Sequence, residues 1–125
     1  MKESKFQFTN PKLDKLTFSN NENYKEEKDK KLHSSIKVNK QIIDDKNAIV
    51  KLIIEIGDKE DFIFYINMEM SAKFNWKDIN ENEVNSFLEV NAPALLLSYA
   101  RPIIANVTMQ SGLSPINLPF MNFTK

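Results

Sequence analysis

Apolar and polar residues alternate along most of the first 76 positions, and then the period lengthens. Phe6 and Phe8 alternate with polar neighbours, and Leu16 and Phe18 do so again. A period of two places one row of side chains on one face of an extended strand. Asn10-Pro11 interrupts this run and predicts a bend or bulge, because proline cannot donate to a ladder. Ile36 and Val38 alternate with lysine and asparagine between Ser34 and Lys40. Asp44-Asp45-Lys46-Asn47 reads as a turn. Ala48 to Ile56 is a strand rich in Ile and Val. Gly57-Asp58-Lys59 reads as a hairpin turn, and Phe62 to Phe74 as the return strand. The pattern predicts about four strands joined by hairpin-like connections, an antiparallel meander.

Beyond position 76 the spacing becomes helical. Asn80 followed by Glu83 resembles a capping box, and Val84, Phe87 and Leu88 predict a short helix over about 81–91. Pro93 suits the first turn of a second helix. Leu96, Tyr99, Ala100, Ile103 and Val107 form an apolar stripe at spacings of three and four. Gly112 is placed to end that helix in the left-handed conformation. Pro102 lies inside it and is expected to kink it. Leu113 to Lys125 carries two prolines without helical period and reads as an extended segment packed on the domain. Strands first and helices last predict an α+β fold: a four-stranded antiparallel sheet with C-terminal helices on one face.

Composition narrows the classes of function. The 125 residues read as a single domain over 1–125, of a size that often gains burial by oligomerising. Lys plus Arg equals Asp plus Glu at 17 each, so the net charge is zero and no nucleic-acid footprint is present. The segment Asn20 to Lys31 is dense in charge of both signs and reads as a solvated loop. There are no cysteines, which removes disulfides, thiolate nucleophiles and Cys-based zinc sites. No apolar run approaches the roughly 20 residues that span a bilayer, and the polar N-terminus lacks a signal-peptide pattern. A cytoplasmic protein without membrane insertion is expected.

Catalytic chemistry finds little support. His33 is the only histidine and sits beside the charged segment. With Gly57 and Gly112 as the only glycines, there is no phosphate loop. No serine lies in a nucleophile elbow. Pairs such as Asp44-Asp45 and Glu26-Glu27 lie in polar surroundings, where a raised pKa is not expected. Neither an enzyme, a metal site nor a cofactor is expected. One feature exceeds a bland expectation. Phe64, Ile66, Met68 and Met70 point to one face of their strand, Phe62 extends the row, and Phe74 and Trp76 continue the aromatic content. Such a face can simply pack on the helices. It can also line a groove, since flexible methionines recur at surfaces that bind many partners.

The segment Ala92-Pro93-Ala94-Leu95-Leu96-Leu97-Ser98-Tyr99-Ala100-Arg101 resembles the helix motif of the SecB-like chaperones, an apolar run leading to Tyr-Ala-Arg. The family continues with an apolar stripe, a glycine, and a Pro/Leu-rich stretch closing on Asn-Phe, matched here from Ser111-Gly112 to Asn122-Phe123. Lys5-Phe6-Gln7-Phe8 and Lys15-Leu16-Thr17-Phe18 are similar to its first strand. Tyr99, Ala100, Arg101, Gly112, Asn122 and Phe123 are thus the structural signature. The resemblance implies a homotetramer, a dimer of dimers, that holds unfolded polypeptides in apolar grooves without ATP. Family members commonly hand these clients to the export motor SecA. By resemblance the groove positions are Ile36, Val38, Phe64, Ile66, Met68 and Met70, with Phe74 and Trp76 extending the apolar surface.

Three positions of departure shape the functional expectation. The chain stops after Asn122-Phe123, where the family usually adds a lid helix and an acidic tail. The positions of the family's acidic motor-docking patch align with Lys15, Ser19 and Asn67, and Asp14 and Glu69 are the neighbouring acids. Pro102 replaces a helix-compatible residue. The leading reading is an ATP-independent holdase for non-native polypeptides, with a role in protein export. The alternatives are a dedicated chaperone of the antitoxin in a toxin–antitoxin system, and an assembly subunit that reuses the fold.

Overall fold

The computed structural model describes residues 2, 4–22, 33–60, 62–118 and 121–123. Five strands precede the helices: β1 Phe6–Phe8, β2 Lys12–Asn20, β3 Ser34–Asp44, β4 Asn47–Gly57 and β5 Phe64–Trp76. The predicted interruption at Asn10-Pro11 separates β1 from β2, and both pair with β5, at Trp76–Phe74 and Ser71–Phe64 respectively. They form one broken edge strand, which is why five strands occupy four positions in the sheet. A bulge between Leu13 and Lys15 shifts the register once more. From 23 to 31 the charged segment lies outside the described residues.

The meander holds for β3, β4 and β5 but not for the first strand. The spatial order places β1 and β2 beside β5, and β3 at the opposite edge. Period-two alternation cannot reveal this, because it fixes faces and not neighbours. The two hairpins follow from local chemistry. In the β3–β4 turn the Lys46 N–H donates to Asp44 Oδ1 at 2.8 Å, and the Asn47 amide donates to the same carboxylate. Both bonds hold the Asp44 carboxyl below its usual pKa, the Lys46 N–H first and the Asn47 side chain second. In the β4–β5 turn Gly57 has φ +78°, a conformation open to glycine and costly for other residues.

One helical arm covers the sheet. It begins as α1 Glu81–Ser86, passes through a π-helical turn at Phe87–Asn91, and continues as α2 Ala92–Gln110. Asn80 caps the helix: its Oδ1 accepts from the Glu83 N–H at 2.9 Å, while Glu83 Oε1 accepts from the Asn80 side-chain amide in place of the backbone N–H of a full capping box. Two separate helices were expected, and the arm is continuous instead. The wide turn directly precedes Pro93, whose ring would crowd the carbonyl of a regular preceding turn. Pro102 is exposed, and α2 runs through it. The end of α2 is a Schellman motif on Gly112, at φ +85°. The Gly112 N–H donates to Met109 and the Leu113 N–H to Thr108.

The core lies between the sheet and this arm. The even-numbered residues of β4 and β5, from Ala48 to Ile56 and from Phe64 to Trp76, are buried against Val84, Leu88 and α2. The α2 seam is Ala92, Leu96, Ala100, Ile104 and Thr108, a strict repeat of four. The expected stripe is therefore turned by about one residue in its second half. Ile104 and Thr108 are buried, while Ile103 and Val107 are half-buried and Tyr99 is 42% exposed. Thr108 is a polar member of this core. Its hydroxyl bonds back to Ile104 and Ala105 and accepts the Ile116 N–H at 3.0 Å, which ties down the segment after α2. That segment carries Leu118 back into the core, in keeping with the expected packed tail.

Candidate functional site

Phe64, Ile66, Met68, Met70, Phe74 and Trp76 are 0–7% exposed and lie beneath the helical arm. In this chain the row packs on the helices, which is the plainer of the two readings of the alternation. These six are core side chains, and the surface that remains open lies beside them. Ile36 and Val38 are different. They are half-buried on β3, on the same face, opposite Ile54 and Leu52.

A groove runs between β3 and the arm. Its larger part, about 710 Å³, has Val38 and Lys40 on one wall. Asn82, Asn85, Ser86, Leu88, Glu89 and Val90 form the other, and Phe123 closes it. The smaller part, about 320 Å³, lies between Ile42 with Asp44 and Asp45 on one side and Glu81, Val84 and Asn85 on the other, with Trp76 and Ile79. Asn85 borders both parts, so they follow one line along β3. The Lys40 ammonium reaches Glu89 Oε1 at 3.3 Å across the larger part. The lining is apolar at its base and polar at its rim, which suits a peptide better than a small charged metabolite. Among the described residues no group of His, Asp and Glu side chains could hold a metal ion.

The π-helical turn sets the second wall. It carries Leu88 into the core and Phe87 onto Phe6, with stacked rings 3.8 Å apart, while Val90 stays half-exposed in the groove. The sequence reading missed Lys40, Ile42 and this helical wall. Val90 was the available signal, an apolar residue just past the Val84–Leu88 stripe. Of the signature residues, Ala100 is buried in the α2 seam and Arg101 is half-buried. Gly112 ends the helix, and Phe123 reaches the groove. Asn122 is exposed.

The opposite face of the sheet has another character. Lys15, Ser19 and Asn67 share it, since Lys15 pairs with Glu69, Ser19 with Tyr65 and Thr17 with Asn67. Glu69 lies on this face as well, opposite Lys15, and its carboxylate meets Lys51 at 3.4 Å. Asp14 sits at the bulge, 3.9 Å from Lys12. Strand pairing puts Lys12, Lys15, Lys37, Lys51 and Lys73 on this face against Glu55 and Glu69, so it is basic.

Comparison with known proteins agrees with this geometry. The family model for SecB, the preprotein translocase subunit, matches residues 8–125. An uncharacterized protein of Methanocaldococcus jannaschii is 30% identical over 103 residues, which are 77% of this chain and 66% of that protein. A protein-export protein SecB of a Jannaschia species is 32% identical over 81 residues, 62% of this chain and 47% of that one. The matched stretch thus spans about half to two thirds of these curated relatives. Among solved structures, a Mycobacterium tuberculosis SecB-like chaperone in complex with a ChAD peptide from the HigA1 antitoxin superposes with a TM-score of 0.73. It is 13% identical, over 94% of this chain and 88% of that one, so the likeness is one of fold. Sheet, helical arm and the sequence match along nearly the whole chain lead to one conclusion: the chain belongs to the SecB family.

Proposed function

We propose that this protein is an ATP-independent holdase, a cytoplasmic non-enzyme that keeps non-native polypeptides from aggregating by binding short apolar segments of them. The observation that carries the reading is the groove between β3 and the helical arm, in a chain of the SecB family. Val38, Val90 and Phe123 offer apolar contact there, and Ile36 continues it along β3. Many weak contacts of this kind can offset the ordering entropy of a disordered client without a nucleotide cycle. The test is light scattering from a chemically unfolded model protein diluted into buffer without nucleotide. The wild type is expected to suppress the signal near equimolar ratio. Val38→Glu with Val90→Glu is expected to melt within a few degrees of wild type and to lose most of the suppression. No suppression by wild type at any stoichiometry sinks the proposal.

A homotetramer, a dimer of dimers, belongs to the same reading. Leu95, Ile103 and Val107 are half-buried beside the closed α2 seam, with Tyr99 more exposed. A half-open apolar seam on a long helix suits packing against a second copy. Ile103→Glu is expected to lower the mass in solution at micromolar concentration, as read by light scattering after gel filtration. An unchanged mass removes α2 from the subunit contact.

The basic outer face favours a second, narrower reading. Lys15, Ser19 and Asn67 offer no acidic docking patch, and nearby Glu69 is engaged by Lys51. A dedicated chaperone of one client, such as an antitoxin, needs no such patch. Delivery to SecA requires another surface. The structural neighbour's bound antitoxin peptide supports this version by analogy of fold.

A further inference from the structure

We propose that the outer face of the sheet, turned away from the helical arm, docks an acidic polypeptide segment. One carboxylate of that segment sits between Lys12 and Lys73, at the break in the edge strand. The partner is a second one, and its binding does not depend on what the groove holds.

Strand register gathers the lysines. On this face Lys73 pairs with Ile49, Lys12 with Ser71, and Lys15 with Glu69. Lys51 lies beside Ser71, and Lys37 beside Ile53. The five lysines therefore occupy three consecutive rows across the sheet. With rows of one face about 7 Å apart and strands about 4.8 Å apart, the patch is roughly 14 Å on each side. Lys12 and Lys15 are three residues apart, a spacing that puts side chains of a regular strand on opposite faces. The extra residue Asp14, at the bulge between Leu13 and Lys15, returns both to the outer face. Asn10-Pro11 has the same effect one step earlier. The Thr9 N–H donates to the Lys73 carbonyl and Lys12 faces Ser71, so Asn10 and Pro11 together stand opposite Ala72. Acidic neighbours offset only part of this charge. Glu69 meets Lys51 at 3.4 Å, and Asp14 lies 3.9 Å from Lys12. Asp44, in the neighbouring turn, interacts electrostatically with Lys73, and Glu55 stands one row further away. Lys15, Lys37 and Lys73 are exposed and form no ion pair among the described residues, so the patch keeps a clear positive excess.

At the break in the edge strand a cavity of about 300 Å³ opens, lined by Lys12 and Lys73. Thr9 and Asn10 border it, together with Ile49 and the buried Ser71. Two ammonium groups beside hydroxyls, an amide and an aliphatic side chain suit a carboxylate on a methylene stem. Charge complementarity thus selects an acidic partner. A polypeptide fits better than a nucleic acid or a membrane. Glu69 stands in the row of Lys15 and Lys37, where a continuous polyanion is repelled and a peptide can present a neutral residue. Arg101, the only arginine, is on α2, so this face lacks the planar forks that grip phosphates. Ile49 and Ile53 flank Lys51 and are half-buried. They offer contact to an aliphatic residue of the segment but no wedge into a bilayer.

The test uses the full chain and a fluorescein-labelled peptide of glutamate and serine with one central leucine, read by fluorescence anisotropy at low ionic strength. The peptide is expected to bind and to be released by added salt. Lys12→Gln with Lys73→Gln is expected to weaken it at least tenfold while suppression of client aggregation stays at the wild-type level. Lys40→Gln with Lys59→Gln removes the same charge away from the patch and is expected to weaken it less than threefold. Should the first pair fail to fold, Lys15→Gln with Lys37→Gln replaces it, with at least fivefold weakening expected. Equal effects of the patch pair and the control pair overturn the site. Tighter binding of duplex DNA, or of phosphatidylserine vesicles, overturns the assignment of a polypeptide partner. Failure of the peptide to bind the wild type overturns the inference outright and leaves the groove reading standing.

Discussion

Phe64→Ser together with Met68→Ser is expected to abolish cooperative unfolding, not merely to weaken client binding. Both side chains are buried, Met68 completely and Phe64 to 3% exposure. Met68 lies between Leu16 and Ile54 across the sheet, and Phe64 stacks near Phe18 with centroids 6.1 Å apart. Truncating a large core side chain costs about 2–5 kcal/mol. A hydroxyl buried without a partner adds about 1–3 kcal/mol. Two such losses meet a total stability of about 5–15 kcal/mol for a domain of this kind. Calorimetry of the double variant should show no unfolding peak, and near-ultraviolet circular dichroism should be flat. A variant that melts like wild type and loses only client binding would return this row to an open groove.

Gly57→Ala is the second severe substitution. Gly57 sits at φ +78°, where a residue with a Cβ is strained by about 1–2 kcal/mol. A Cβ built there would also collide with the Phe64 carbonyl oxygen, a backbone atom of the paired strand that cannot move without disturbing the ladder. The hairpin would have to open at the bond from the Asp58 N–H to that same carbonyl. A loss of about 3 kcal/mol or more in urea unfolding is expected, combining strain and displacement. Gly112→Ala is the internal control. Its φ is +85°, but nothing stands within 4 Å of the added methyl. Its cost should therefore be the conformational part alone, about 1–2 kcal/mol. Equal losses at the two positions would show that the collision at Gly57 is relieved cheaply.

These substitutions also show which parts of the molecule sequence could reveal. Gly57, Gly112, Asn80 and the Asp44–Asn47 turn each carry their conformation in their own chemistry, so each was readable one position at a time. The alternation of β4 and β5 fixed a buried face, because period two leaves no other choice. What covers that face is a property of tertiary packing, and so the alternation alone favoured core for Met68 and Met70, while the family resemblance assigned them to the groove. The place of β1 and β2 beside β5 was hidden for the same reason. The α2 seam was misjudged by one residue because Ile103 and Ile104, adjacent and alike, offer the same apolarity to either phase. Thr108 was invisible as a core residue, since its burial depends on accepting the Ile116 N–H from a later segment. The groove itself was half legible. Val38 announced one wall, whereas the other depends on the wide turn before Pro93, which no periodicity encodes.

Hydrogen exchange on the chain, alone and with an unfolded model protein in slight excess, locates the client on the molecule. Slower exchange is expected in β3 around Ile36–Ile42 and in the arm around Asn82–Val90, with the outer-face residues of β2 unaffected. Protection confined to β2, or no protection anywhere while aggregation is nonetheless suppressed, would show that the groove is not where clients are held.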